Sequence, residues 1–223
     1  LMITVSSLIF TWAIAIPAGI YSAVRQYSFV DYLITTIMLV GLATPSFLLA
    51  LMAMYAGYEL FGISIGGLFS TEYRDAPWSF AKLMDFLSHL WIPMVVLGLG
   101  GTASTMRILR ANLLDELSKP YVVTARAKGV KPLKLLFKYP LRIAINPFIS
   151  TIGLLMPALI SGEAIVSIVL GLPTIGPALI QALIAQDMYL AGSFLMLLAV
   201  LTVLGMLLSD LLLAWADPRI RYE

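Results

Sequence analysis

The sequence contains no cysteine, a single histidine at His89, and only 12% charged residues among 223. Without thiols there can be no disulfide framework, no thiol nucleophile and no Cys-ligated metal site. One imidazole cannot build a histidine cluster. No stretch matches G-x-x-x-x-G-K-[ST], so the chain carries no phosphate-cradling loop with which to hydrolyse ATP itself. The shortage of charge is equally informative, because soluble domains average roughly 25% charged residues. Apolar residues fill the space instead, at 61% of the chain and a mean hydropathy of +0.97. That is the composition of an integral membrane protein.

Five apolar runs have about the length needed to cross a ~30 Å hydrocarbon core: Leu1–Val24, Tyr32–Tyr58, Leu90–Met106, Ile143–Leu170 and Tyr189–Ala216. Lipid offers a backbone no hydrogen-bond partner, so each run must be helical. We therefore expect an all-α fold, with residues 1–223 forming one transmembrane domain. The chain opens directly in apolar sequence at Leu1, with no initiator Met, polar flank or signal-peptide cleavage site. This leads us to expect an N-terminally truncated stretch that lacks at least one further span.

Charge location sets the orientation. Nine of the fourteen Lys and Arg residues lie between Arg107 and Arg142; with Arg25, Arg219 and Arg221 they place twelve on one face of the expected topology, against Arg74 and Lys82 on the other. By the positive-inside rule the basic face is cytoplasmic and the C-terminus lies inside.

Several spans carry proline, at Pro17, Pro45, Pro93, Pro147 and Pro157. Each frees a carbonyl and bends its helix, which ordinary bundle packing or a water-filled path can accommodate. In Thr44-Pro45-Ser46, the hydroxyls of Thr44 and Ser46 make this the best candidate to line a cavity. Gly98, Gly100 and Gly101 suit close helix approach better than contact with cargo.

The basic stretch 107–142 has local order. Ser118 can cap a helix with Pro120 in its first turn, running to Lys128, and Gly129 stands where a left-handed residue is wanted. Pro132 then opens a second helix ending near Pro140. In it Leu133, Leu136 and Phe137 share one face by i, i+3, i+4 spacing, and Lys131, Lys134 and Lys138 another. Three partners suit such a helix–turn–helix: anionic lipid at the bilayer surface, nucleic acid, or a soluble protein that docks on it. One short basic patch is weak evidence for nucleic acid, and we expect none.

Tyr121 to Pro147 resembles the cytoplasmic signature loop of binding-protein-dependent ABC transporter permeases, the type I importers. The likeness is closest to the dipeptide/oligopeptide/nickel branch, through Thr124-Ala125-Arg126-Ala127-Lys128-Gly129 followed by Leu141-Arg142-Ile143-Ala144. Met106 to Leu114 and the tail Asp217-Pro218-Arg219-Ile220-Arg221 are similar too, as are the order and spacing of the spans. The general family's Glu-Ala-Ala is here Val123-Thr124-Ala125, and the proline closing the general motif is Arg142.

The resemblance implies a type I importer transmembrane domain that forms half of the pathway for a small peptide or related solute. It implies a second permease subunit, two cytoplasmic ATPases that bind the ATP, and an extracytoplasmic solute-binding protein, in a bacterial or archaeal cytoplasmic membrane. Tyr121, Thr124, Ala125, Arg126, Ala127, Lys128 and Gly129 would be the ATPase-coupling residues. No catalytic residue, cofactor or metal ligand is expected on this chain.

The principal alternative is a proton-coupled secondary transporter using Glu163 and Asp210, since ionisable groups at membrane depth are expensive and call for a role. Glu163 follows Ser161-Gly162, so it suits either a structural hydrogen-bond network or contact with cargo. Ser161 and Glu163 accordingly join Thr44 and Ser46 as pathway candidates. Asp210 is expected to pair with Arg219 or another basic group. An intramembrane enzyme is excluded, because by topology Glu163 and Asp210 lie near opposite faces and cannot form an acid/base pair.

Overall fold

A computed structural model of the chain describes residues 2–62, 66–150 and 164–216. All regular structure among the described residues is helical. In chain order the helices are α1 (Met2–Val24), α2 (Phe29–Ala43), α3 (Ser46–Phe61), α4 (Phe80–Leu117), α5 (Pro120–Ala127), α6 (Pro132–Lys138), α7 (Pro140–Ala144), α8 (Ala164–Val169), α9 (Ile175–Ile184) and α10 (Met188–Ala216). Residues 146–150 are also helical.

The bundle is organised around α1 and α4, whose sequences permit close approach. Ser7, Thr11, Ala15, Ala18 and Ser22 recur at three- and four-residue spacing on α1 and are all buried. This small-residue stripe lets the two backbones come together, as membrane helices require when apolar burial gives no driving force. The α4 side supplies Gly98, where an added Cβ would meet the Phe10 ring at 2.6 Å and the Ser7 carbonyl at 3.3 Å. Thr11 Oγ1 crosses the interface to donate to the Gly98 carbonyl at 3.1 Å, and Thr102 Oγ1 donates to the same oxygen at 2.7 Å. The glycine reading thus holds at Gly98, whereas Gly100 faces open space.

Length and apolarity suit three helices to membrane crossing: Val5–Val24 within α1, Phe80–Leu117 and Met188–Trp215. Two expected spans take a different form. The run over Tyr32–Tyr58 is not one helix, because α2 and α3 meet at 100° across Pro45. Proline has no N–H to continue the ladder and disfavours helical geometry in the residue before it; here Thr44 ends α2 in extended backbone, whereas Pro17 and Pro93 are carried inside α1 and α4. The run over Leu90–Met106 is the middle of α4, whose 38 residues extend about 57 Å at 1.5 Å per residue. Charged residues mark where this helix leaves lipid, but they do not end it. The middle of the expected span Ile143–Leu170, residues 151–163 with Pro157, Ser161 and Glu163, lies outside the described residues, as do Arg219 and Arg221.

At the end remote from the basic loop, residues 66–79 are fastened onto the first turns of α4. Lys82 is buried and donates through Nζ to the carbonyls of Ala76 at 2.5 Å and Arg74 at 3.4 Å, with the Phe69 ring 4.9 Å away. Asp85 accepts from the Ser70 amide at 2.8 Å and from the Ser70 hydroxyl. His89 sits on the same turn, with Nδ1 2.8 Å from the Asp85 carbonyl, and Trp91 is exposed beside it.

Candidate functional site

The basic loop folds as the two short helices α5 and α6. Their turn is a Schellman motif in which Gly129, at φ +78°, donates to Arg126 O at 3.0 Å and Val130 donates to Ala125 O at 3.3 Å. These bonds satisfy carbonyls that the end of α5 would otherwise leave open. Val130 then packs with Val122, Ala125 and Leu135, so a small apolar core holds α5 and α6 together.

Two details differ from the sequence expectation. Ser118 does not cap α5. It ends α4 in right-handed helical geometry, with its hydroxyl on Asp115 O at 2.8 Å, and Lys119 occupies the capping position in extended backbone without a side-chain bond. An N-cap needs non-helical φ and ψ, which Ser118 gives up by continuing α4. The inward face of α6 is also not Leu133, Leu136 and Phe137. Leu135 and Leu136 are buried, whereas Leu133 is 72% and Phe137 60% exposed. Leu135 turns to the α5 cluster and Leu136 to one formed with Ala23, Leu109, Leu113, Leu141, Ala144 and Phe148. A seven-residue helix wedged between two neighbours buries two adjacent positions rather than one amphipathic stripe.

Of the seven coupling candidates, Tyr121, Thr124, Arg126, Ala127, Lys128 and Gly129 are exposed and Ala125 is buried. Val123 also lies on the exposed face. Thr124 Oγ1 donates to Pro120 O at 2.8 Å and the Tyr121 hydroxyl to the Glu116 carboxylate, so α5 is braced at both its start and its junction with α4. The helix therefore presents an open surface while its opposite side is wired into the bundle.

An ion pair that the sequence did not reveal stands at the same end. Asp31, 2% exposed, receives Arg110 Nη2 at 3.1 Å and the Tyr27 amide at 3.0 Å, with Thr35 Oγ1 at 3.4 Å. Arg110 Nε also donates to Ser22 O at 3.4 Å. The pair joins the end of α1, the start of α2 and the part of α4 that leads into the loop. Its partners are 79 positions apart. The only sequence trace is Ser28 three residues before Asp31, a capping arrangement that Ser28 Oγ fulfils by accepting from Asp31 N at 3.2 Å.

Of the four pathway candidates, two lie among the described residues. Thr44 and Ser46 flank the α2–α3 bend, half-buried, and the Thr44 hydroxyl returns to Val40 O at 2.8 Å. Ser161 and Glu163 lie outside the described residues. Asp210 is exposed on α10, and Arg219, its expected partner, is likewise outside the described residues.

Comparison with known proteins agrees with this architecture. The oligopeptide transport system permease protein AppB of Bacillus subtilis is 36% identical over 225 residues, covering all of this chain and 69% of its own length. The peptidoglycan transport system permease protein YejB of Agrobacterium fabrum is 32% identical, covering 97% of this chain and 60% of its own. The di/tripeptide transport system permease protein DppB of Pseudomonas aeruginosa is 29% identical, covering all of this chain and 70% of its own. In structure, the chain resembles the MetNI methionine ABC transporter with a TM-score of 0.69 at 18% identity, covering 97% of this chain and 92% of that one. This establishes the type I importer fold. The profile described as the binding-protein-dependent transport system inner membrane component matches residues 15–222, nearly the whole helical bundle including its basic loop, and the chain belongs to that family of ABC importer permeases.

Proposed function

We propose that this subunit forms half of a translocation pathway for a peptide or peptide-like solute, and that the exposed face of α5 receives a cytoplasmic ATPase. Membership of the family makes the chain a transport subunit rather than an enzyme, with ATP hydrolysis in a partner. Its relatives' names, oligopeptide, di/tripeptide and peptidoglycan, support the cargo class. On this reading two ATPases, a second and different permease chain, and an extracytoplasmic solute-binding protein complete the machine. The preponderance of basic residues on the loop side supports a cytoplasmic loop and C-terminus.

The observation that carries the coupling role is the two-sided character of α5. Its outward residues are open, while Val122 and Ala125 pack on Leu135 and the neighbouring Leu136 packs on α1, α4 and α7. Coupling needs a contiguous, closely packed element that two sites can bias. A displacement of α5 by closing ATPases would pass through Leu135 and Leu136 to Leu109 and Leu113 of α4, and a rigid-body shift of α4 against α1 would alternate access. Thr44, Ser46, Ser161 and Glu163 remain our pathway candidates, with Glu163 suited to a cationic group on the cargo.

Proton coupling through Glu163 and Asp210 finds no support from any relative. Uptake into vesicles containing the whole transporter decides between energy sources. We expect it to be abolished by vanadate and unaffected by a protonophore; the reverse pattern would overturn the proposal.

A further inference from the structure

The second half of the loop carries features that ATPase docking on α5 does not use. Leu133 and Phe137, four residues apart on α6, stand 72% and 60% exposed. Lys131, Lys134 and Lys138 are exposed around them. From Val130 to Leu141 these three lysines are the basic residues and there is no acid, and the ion pairs Asp85–His89 and Asp31–Arg110 lie elsewhere. Beside α6 is an apolar cavity of about 400 Å³. Ala23 and Val24 at the end of α1, Leu117 at the end of α4, and Arg126, Val130 and Leu133 are among the residues that line it.

We propose that α6 and this cavity bind an anionic phospholipid, with acyl chain in the cavity and headgroup phosphate among the basic side chains. The depth is set by α1, whose membrane-crossing stretch ends at Val24, so the cavity lies where that span leaves the hydrocarbon. An apolar recess at that level matches the chain of an amphiphile. A cluster of cations without a single acid matches an anionic headgroup, each lysine near such a surface contributing attraction worth roughly a fivefold change in binding. Exposed leucine and phenylalanine among lysines are also the composition of a helix lying at a bilayer surface. The loop would then have two occupants, an ATPase on α5 and lipid on α6. The inference rests on the membrane reading of α1 and not on the docking reading of α5.

Because the chain has no cysteine, Leu133→Cys or Phe137→Cys gives it a single thiol. Either can be labelled with an environment-sensitive fluorophore before the subunit is assembled with its partner permease in nanodiscs. Brominated phosphatidylglycerol should quench the label at a lower mole fraction than brominated phosphatidylcholine. Lys131→Gln, Lys134→Gln and Lys138→Gln should each reduce that preference by roughly fivefold. Adding the ATPases should leave the quenching in place. Equal quenching by both lipids, or none by either, would overturn the proposal. So would loss of quenching on adding the ATPases, which would assign α6 to them. A label at Val123→Cys in parallel samples reports ATPase binding on α5, so failure of the lipid site and failure of α5 docking are read separately.

Discussion

Replacing Gly129 tests whether the shape of the α5–α6 turn matters, because its cost can be assigned to one cause. At φ +78° the residue occupies the left-handed region, and a Cβ built there meets no heavy atom within 4 Å. Crowding of the Cβ therefore contributes nothing, and the first penalty is that of the backbone conformation, about 1–2 kcal/mol for an ordinary L-residue. Asparagine, which visits this region more readily, should cost least, alanine more, and β-branched valine most. The Schellman bonds from Gly129 and Val130 cannot form in another conformation, so the energy bears directly on whether α5 keeps its end and its packing on Leu135. A 1–2 kcal/mol penalty shifts the population of the intact turn by roughly 5- to 30-fold. Titrating purified ATPase onto the permease pair in nanodiscs should show affinity falling in the order Gly, Asn, Ala, Val. Substrate-stimulated ATP hydrolysis should fall in parallel, with membrane abundance near normal because the spans are untouched. Wild-type affinity for Gly129→Val, or equal losses for Asn, Ala and Val, would refute the reasoning.

Other substitutions probe the bundle. Arg110→Met leaves the carboxylate of Asp31 buried without its cation and should destabilise the protein by about 3 kcal/mol, the lower end for a broken buried pair, since Arg110 is partly exposed. The double variant Asp31→Asn/Arg110→Met should melt well above the sum of the single losses, and strict additivity would deny the interaction. Gly98→Ala should cost about 1–3 kcal/mol by overpacking against Phe10, and Phe10→Leu should recover part of the loss in thermal melting, whereas no change would mean that α1 and α4 are not so close. Thr71→Cys, exposed in the 66–79 segment, should react with an impermeant thiol reagent outside intact cells, and Ser118→Cys should not; the opposite result would invert the topology.

The features legible in the sequence were those set by local chemistry. Helical class followed from the absence of backbone partners in lipid, the turn at Gly129 from its place before Val130 and Pro132, and the close approach at Gly98 from its missing side chain. Features decided by neighbours were not legible. Pro45 signals a break, but a 100° angle depends on what α3 packs against, here Ala50 in a core shared with Phe86 and Leu90 of α4. The inward face of α6 depends on α5 and α4 closing on it from two sides, so periodicity chose the wrong leucine partners. The pairing of Asp31 with Arg110 arises from the approach of three helix ends, and no local pattern announces it. Residue types at Thr44, Ser46, Ser161 and Glu163 suggest a pathway, but at the α2–α3 bend the Thr44 hydroxyl is returned to its own helix at Val40 O.

The central claim, that α5 is the surface through which ATP hydrolysis reaches the bundle, is tested most directly by crosslinking from its exposed face. Val123 is 54% exposed, and a photoreactive amino acid placed there in the assembled transporter should form a covalent adduct with the ATPase subunit. The yield should change between nucleotide-free and ATP-bound states as the ATPases close. An adduct with lipid alone, or none with the ATPase in either state, would contradict the account.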